Sequence, residues 1–512
     1  MQKRVVILGG GTAGWIVAAR LAAEGLSVDG QPVAITLIES SDVPTIGVGE
    51  GTWPSMRSTL EKIGIPEKEF LQVCHAAFKQ GSRFVNWCKG QGEAYDHPFT
   101  MPVGMGRHAL GKAFSKQNSA IDFSHWACLQ SAMIDAGKSP KQPQTPDYAG
   151  VFNYGYHLDA GRFADLLKRH AVDRLGVTHC IGHFSSAELD EKGWISALLL
   201  NDDRRIEGDF FIDASGTHNK LIGGCIESPF ISLKDVSPND SALALPVAYT
   251  NAASPIESAT LSTAQGAGWI WDIGLQHRRG TGYVYASAFT DDQAALDTLA
   301  AYARNINPAV DVSTARKLMI NPGYRARPWV NNCVAVGMAS GFIEPLEASA
   351  LVMVELTASY LCEHLPAPTS AFEGIAARYN ALFTERWSRI RDFLQLHYHL
   401  SERRDTAYWK AVTEDIPLSD RLSGLLEEWK YRDPVLNDFG HYMELFPPAS
   451  YLYVLLGMRP QHLQNSVGKK TDGAAQLLAD IAANEQKRAH YLAHLPDNRS
   501  YFNTFIRQPE MA

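Results

Sequence analysis

The sequence predicts an α/β fold followed by a mainly helical region, and three observations predict it. An apolar run, Arg4-Val5-Val6-Ile7-Leu8, passes straight into Gly9-Gly10-Gly11-Thr12-Ala13-Gly14. A helical stretch, Trp15 to Glu24, comes next, and a second apolar run from Val33 to Ile38 ends at Glu39. Beyond residue 358 glycine becomes sparse up to Asp438, and the segments Glu373 to Leu400 and Asp420 to Trp429 are helical in pattern.

The first two observations make a Rossmann-like βαβ unit. A G-x-G-x-x-G turn between a strand and a helix lets the backbone approach a pyrophosphate, which rests on the helix N-terminus. Gly9, Gly11, Thr12, Ala13 and Gly14 form that turn. An acid at the end of the second strand takes a ribose hydroxyl, and Glu39 stands 25 residues beyond Gly14. The context therefore predicts a dinucleotide site. Two later apolar strands, Gly208 to Gly216 with Asp213 and Asn332 to Ala339 with Gly337, resemble the FAD-contacting strands of the flavin monooxygenase superfamily. No second G-x-G-x-x-G follows a strand, so the sequence offers no integral NAD(P)H domain. The flavin is then expected to be reduced elsewhere and delivered. The third observation sets the expected division: residues 1–357 as a sheet-containing cofactor domain and 358–512 as a mainly helical C-terminal region.

Composition narrows the class. Hydrophobic content of 45% and charged content of 20% are ordinary for a soluble globular enzyme. Lys+Arg 47 against Asp+Glu 55 leaves a formal charge of -8, which argues against a nucleic-acid surface. Seven cysteines without a C-x-x-C pair read as reduced thiols, with neither a disulfide frame nor a zinc site, and no metal is expected. The chain runs directly into a strand with no signal peptide, and its longest apolar helix candidate, Ala348 to Leu365, carries Glu355 and Glu363. It is too short and too charged to span a bilayer. A cytoplasmic location without membrane partners is expected.

Five local patterns could carry chemistry, and each has a structural reading beside it. Thr45-Ile46-Gly47-Val48-Gly49-Glu50-Gly51 places three glycines in five residues, either a loop lying close over a ligand or a plain turn. Lys79 sits between Phe78 and the run Phe84-Val85-Asn86-Trp87. An ammonium among apolar groups has a functional reason to be there, although most lysines are solvated. His97-Pro98-Phe99 could stack an imidazole and a ring on an aromatic substrate, or be a proline-set loop. Trp269 and Trp271, at i and i+2, share one face of a strand, as core or as a wall. Phe342-Ile343-Glu344-Pro345-Leu346-Glu347 leads into a helix whose first amides, at Ser349 and Ala350, make a natural anion site.

Taken in order, these patterns resemble the flavin-dependent halogenases of the tryptophan halogenase type. G-V-G-E-x-T-x-P at Gly47–Pro54 resembles the family's flavin strap, so Gly47, Val48, Gly49 and Glu50 are implied to contact FAD. A-x-F-K-x-G-x-R-F-x-x-W resembles the stretch carrying its essential lysine, here Lys79. Trp269-Ile270-Trp271-Asp272-Ile273 resembles W-x-W-x-I-P, with Gly274 in place of the proline. Glu347 maps to the essential glutamate, and Ser349 and Ala350 to the halide cradle, where Ala348-Ser349-Ala350 replaces the common S-T-G.

The resemblance implies that reduced FAD, O2 and chloride or bromide form hypohalous acid. That acid passes through the protein interior to Lys79 and halogenates an electron-rich, indole-like aromatic, with Glu347 activating the electrophile or accepting the proton. His97, Phe99, Trp269 and Trp271 are implied to line the substrate side. The tryptophans would keep substrate from the flavin and suppress direct hydroxylation. A separate flavin reductase is the implied partner, and a homodimer is compatible with the reading. The segment Tyr442 to Tyr451 has two prolines and no tryptophan where tryptophan halogenases bind the amino-acid backbone, which argues against free tryptophan as substrate. A flavin-dependent hydroxylase, or a flavin-binding protein without turnover, stands as the alternative.

Overall fold

The computed structural model describes residues 2–42, 49–116, 121–440, 444–463 and 474–507. The chain divides into two units, each assembled from three segments. One comprises residues 1–76, 158–234 and 320–387; the other comprises 77–157, 235–319 and 388–512. This division does not follow the 357/358 boundary, because both units take residues from either side of it. Beyond residue 358 every regular element among the described residues is helical, as the glycine-poor sequence predicts.

The first unit is built on a six-stranded sheet. Its order is Thr178–Ile181, Ala34–Glu39, Arg4–Leu8, Phe210–Asp213, Cys333–Ala335 and Trp329–Val330, with all but the last strand parallel. Parallel strands covered on both faces read as continuous apolar runs, and Val5, Ile7, Leu37, Phe210, Phe211 and Val334 are fully buried. Arg4–Leu8 has its sequence successor on one side and Phe210–Asp213 on the other. That reversal opens a crevice at the carboxyl ends of these strands, where such sheets bind ligands.

The second unit holds a seven-stranded sheet running Arg316–Met319, Ser241–Ala248, Arg278–Tyr285, Gly268–Gly274, Thr260–Gln265, Gly81–Val85 and Ala94–Pro98. All neighbours are antiparallel except Thr260–Gln265 with Gly81–Val85. The helix Asp292–Ile306 covers one face, where Ala295, Leu299 and Ala303 pack with Leu243, Leu245 and Ile270. Strand side chains alternate between faces. Ile270 therefore turns to that helix, and Trp269 and Trp271 turn to the opposite face. No helix among the described residues is long and apolar enough to cross a membrane.

Candidate active site

In the first unit the glycine turn caps the sheet at the switch point. The helix Thr12–Ala23 starts at Gly11, which is extended (φ -75, ψ 178) and offers no side-chain cap, so its first amides are left for a ligand. The glycines differ in what they make room for. A Cβ on Gly14 would lie 2.0 Å from the Gly9 carbonyl oxygen, and one on Gly10 would lie 2.4 Å from Glu39 Cδ. A Cβ on Gly11 would meet nothing within 4 Å. Two glycines thus close the turn on the protein, and Gly11 leaves the open side. That cradle fits a dinucleotide pyrophosphate.

Glu39 ends its strand beside the turn, 2.8 Å from His179 Nε2 and 3.6 Å from Lys168 Nζ. Gly337 is left-handed (φ +59), and a Cβ there would press to 2.8 Å on Ala13 Cβ, so it lets the following segment close on the helix start. Asp213 closes its strand at the same end of the sheet. Its carboxylate is buried and already accepts four hydrogen bonds, from Ser215 N, Ser215 Oγ, Leu221 N and Ile222 N. It shapes the Ala214–Gly216 turn. Gly49 and Glu50 lie on a short strand, Gly49–Gly51. Burial, reinforced by the Asp159 charge, pushes the Glu50 carboxyl up to about 7. Gly47 and Val48 fall outside the described residues.

The same unit carries Glu347, buried at 5% exposure, at the entrance to the helix Ser349–His364. Ala348, between them, is left-handed (φ 54, ψ 43), and the helix has no side-chain cap. Its first-turn amides, which include those of Ser349 and Ala350, are therefore not taken by a capping side chain, an arrangement that suits a halide. The Trp53 indole donates to the Glu347 carbonyl oxygen at 2.7 Å. Nothing in the sequence pattern singled out Trp53; only its position just after the glycine strand hinted at a role.

In the second unit Lys79 ends the strand Ala77–Lys79, which pairs with the strand carrying Gly155 to His157. Phe78 points into an aromatic group of Tyr154, Tyr156, Tyr501 and Phe502, which anchors one face of the strand. Alternation sends Lys79 to the other face. Gly155 stands opposite it, leaving room for the lysine stem. Lys79 is 1% exposed, and its Nζ lies 5.4 Å from the centroid of the Phe99 ring. That distance is within cation–π range. His157, diagonal to Lys79 on the same face, donates or accepts at Thr260 Oγ1 (2.8 Å). Burial, then the Lys79 charge, holds this imidazole well below its ordinary range.

The remaining substrate-side candidates are fixed by neighbours in the same unit. His97 Nε2 lies 2.8 Å from Ser450 Oγ, on the helix Pro448–Met458. Trp271 lies across Gly282, where a Cβ would be 2.0 Å from its Cζ2. Trp269 is 1% exposed and meets Trp87 at 6.4 Å within a cluster that includes Phe84, Tyr95, His397 and Trp409. The strand carrying His97 is held by a bidentate pair, Arg83 to Asp96 at 2.7 and 2.8 Å. Tyr442 and Met443 fall outside the described residues.

A glycine cradle at a switch point defines a dinucleotide-binding class of α/β unit. Comparison with known proteins gives the particular kind. The sequence profile of the tryptophan halogenase family matches residues 4–472. A crystal structure of a tryptophan halogenase from Shewanella frigidimarina superposes with a TM-score of 0.92 at 43% identity, covering 98% of this chain and 97% of that one. Tryptophan 6-halogenase SttH of Streptomyces toxytricini is 33% identical over 98% of this chain and 97% of its own. Xcc4156, a flavin-dependent halogenase from Xanthomonas campestris, superposes at 0.88 with 33% identity over 99% of each chain. The chain belongs to the tryptophan halogenase family, and it is a flavin-dependent halogenase of aromatic substrates.

Proposed function

We propose that Lys79 delivers the halogen and Glu347 completes the substitution on an indole-like aromatic other than free tryptophan. Reduced FAD bound at the glycine turn supplies, with oxygen, the two-electron oxidation of chloride or bromide to hypohalous acid. Gly9, Gly11, Thr12, Ala13 and Gly14 would hold its pyrophosphate, Glu39 a ribose hydroxyl, and Gly49 and Glu50 of the strap and the Asp213 and Gly337 turns would contact it. The amides of Ser349 and Ala350 would hold the halide. A separate flavin reductase supplies the reduced cofactor, and the expected compartment is cytoplasmic.

The observation that carries the reading is the buried Lys79 side chain, whose Nζ lies 5.4 Å from the centroid of the Phe99 ring, with His157 on the same face. A lysine N–H can donate to an oxygen lone pair of hypohalous acid. Lys79 either hydrogen-bonds that acid or becomes a haloamine. The aromatic C–H bond is exchanged for C–X as the O–X bond breaks, and the ring proton, taken up by the Glu347 carboxylate as candidate base, passes to the departing hydroxide, which leaves as water. The substrate preference is supported by Pro447 and Pro448 at the helix start and by the engagement of His97 with Ser450.

Lys79→Ala tests the assignment. Product is followed by mass spectrometry over a panel of aromatics, with chloride or bromide and a flavin reductase. We expect halogenation to be lost while FAD binding is retained. Retained halogenation would remove Lys79 from its role.

A further inference from the structure

The glycine strand at Gly49–Gly51 and the Glu347 turn lie 294 residues apart at their point of contact, yet one hydrogen bond joins them. Trp53 Nε1 donates to the Glu347 carbonyl oxygen at 2.7 Å. The next residue, Ala348, sits in the left-handed region at φ 54, ψ 43. A non-glycine residue there is strained and persists only when its surroundings hold it. Ala348 N donates to Pro345 O at 3.1 Å, and no side chain caps the helix that follows.

A second tether joins the helices that follow these two segments. Ser55 Oγ donates to Glu355 Oε1 at 3.1 Å, and Thr59 Oγ1 donates to Glu355 Oε2 at 2.5 Å. These hydroxyls fix the helix Ser55–Ile63 to the body of the helix Ser349–His364. The Trp53 bond fixes its entrance. With the helix body already anchored, the indole N–H holds the carbonyl oxygen of the peptide between Glu347 and Ala348. That peptide sets both the direction of the Glu347 side chain and the aim of the first free amides.

We propose that Trp53 is a positioning residue, which holds the strained Glu347–Ala348 turn and thereby sets halide affinity. The inference rests on the assignment of Glu347, Ser349 and Ala350 made above. It also gives the strap a physical means of acting on the halide site, since Trp53 follows Gly51 by two residues.

The test measures halide KM, kcat and FAD Kd for Trp53→Phe, Trp53→His and Trp53→Phe in an Ala348→Gly background, with Glu347→Gln as a reference. Phenylalanine keeps a ring but loses the N–H. Histidine Nε2 occupies the ring position of indole Nε1 and restores the donor. We expect Trp53→Phe to raise halide KM roughly 10-fold, the loss of about one hydrogen bond, with FAD Kd nearly unchanged. Trp53→His should recover most of it. In the Ala348→Gly background the same substitution should cost about twofold or less, because glycine takes the left-handed turn unaided. Unchanged halide KM in Trp53→Phe, or an equal penalty in both backgrounds, overturns the proposal. Should Trp53→Phe prove insoluble, Trp53→His carries the decision: a raised halide KM with the donor present overturns it, and a near-parental KM upholds it. Halogenation retained in Glu347→Gln would instead overturn the underlying assignment, which keeps the two failures apart.

Discussion

Gly11→Ala and Gly14→Ala add the same methyl to the same turn, and the structure gives them opposite consequences. At Gly14 the new Cβ would sit 2.0 Å from the Gly9 carbonyl oxygen. No flexible side chain is available to yield, so the backbone must move, at an overpacking cost of about 1–3 kcal/mol. At Gly11 the methyl meets nothing within 4 Å, and φ -75, ψ 178 suits alanine. Flavin-free stability should hold or rise by roughly 0.4–1 kcal/mol, because the unfolded chain loses freedom. The open side of Gly11 is where a pyrophosphate would approach. A methyl there should break at least one charge-assisted hydrogen bond, about 1.5–3 kcal/mol, which raises FAD Kd by roughly 10–150-fold. Thermal unfolding without flavin, paired with titration by flavin fluorescence, separates the two effects. Parental FAD affinity in Gly11→Ala, or a flavin-free Tm in Gly14→Ala equal to the parent's, would refute the reasoning.

Three further outcomes follow from the same structure. Asp272 is fully buried and held by Arg279 at 2.6 Å and by the Tyr302 hydroxyl at 2.8 Å; Arg279→Ala should destabilise by about 3–5 kcal/mol, and a denaturation midpoint near the parent's would contradict this. Burial lifts the Glu355 carboxyl from 4.5 to about 7 against the lowering pull of Thr59 and Ser55. Between those values the folded chain keeps a proton that the unfolded chain has lost, so stability should fall as pH rises from about 5 to about 7 and then level off. Glu355→Gln should flatten that slope in a Tm-against-pH series, and a slope identical to the parent's counts against it. Free indole should be halogenated faster than free tryptophan under one set of conditions; equal or faster tryptophan turnover would show that the Tyr442 to Tyr451 segment does not exclude it.

What the sequence made legible was local. The βαβ unit is written in a contiguous run, and the strands, the glycine turn and the helix starting at Ser349 appear where periodicity and capping signals put them, within a residue or three. The shared face of Trp269 and Trp271 follows from strand alternation alone. Contacts across long separations were not legible. Trp53 reaches Glu347 over 294 residues and His97 reaches Ser450 over 353, and no spacing rule links such pairs. The division into units failed to show for the same reason: each unit gathers three separate segments, so a single cut in the sequence cannot express it. Asp213 was legible as an acid closing a strand, but two of its four internal hydrogen bonds depend on a turn that folds back on it eight and nine residues later.

Gly274, where the family resemblance expects proline, belongs to the same account of glycine. Its backbone needs no left-handed freedom, since Gly274 is absent from the positive-φ glycines. Space is what it supplies: a Cβ there would lie 2.9 Å from Glu257 N and 3.3 Å from Ile256 Cγ2. The strand does not leave early without the proline; it pairs through Gly274 with Arg279, and Leu275 N donates to Arg278 O at 3.0 Å. The segment Ile256–Glu257 has closed over the glycine, and Glu257 reaches Arg279 at 3.2 Å, the same guanidinium that neutralises Asp272. Gly282 does the like for Trp271, giving its ring a bed. In the second unit glycines thus admit the protein's own groups and immobilise the two-tryptophan strand, whereas Gly11 admits nothing of the protein's own. A rigid wall and an open cradle arise from one residue type, and the difference lies wholly in what stands opposite the missing Cβ.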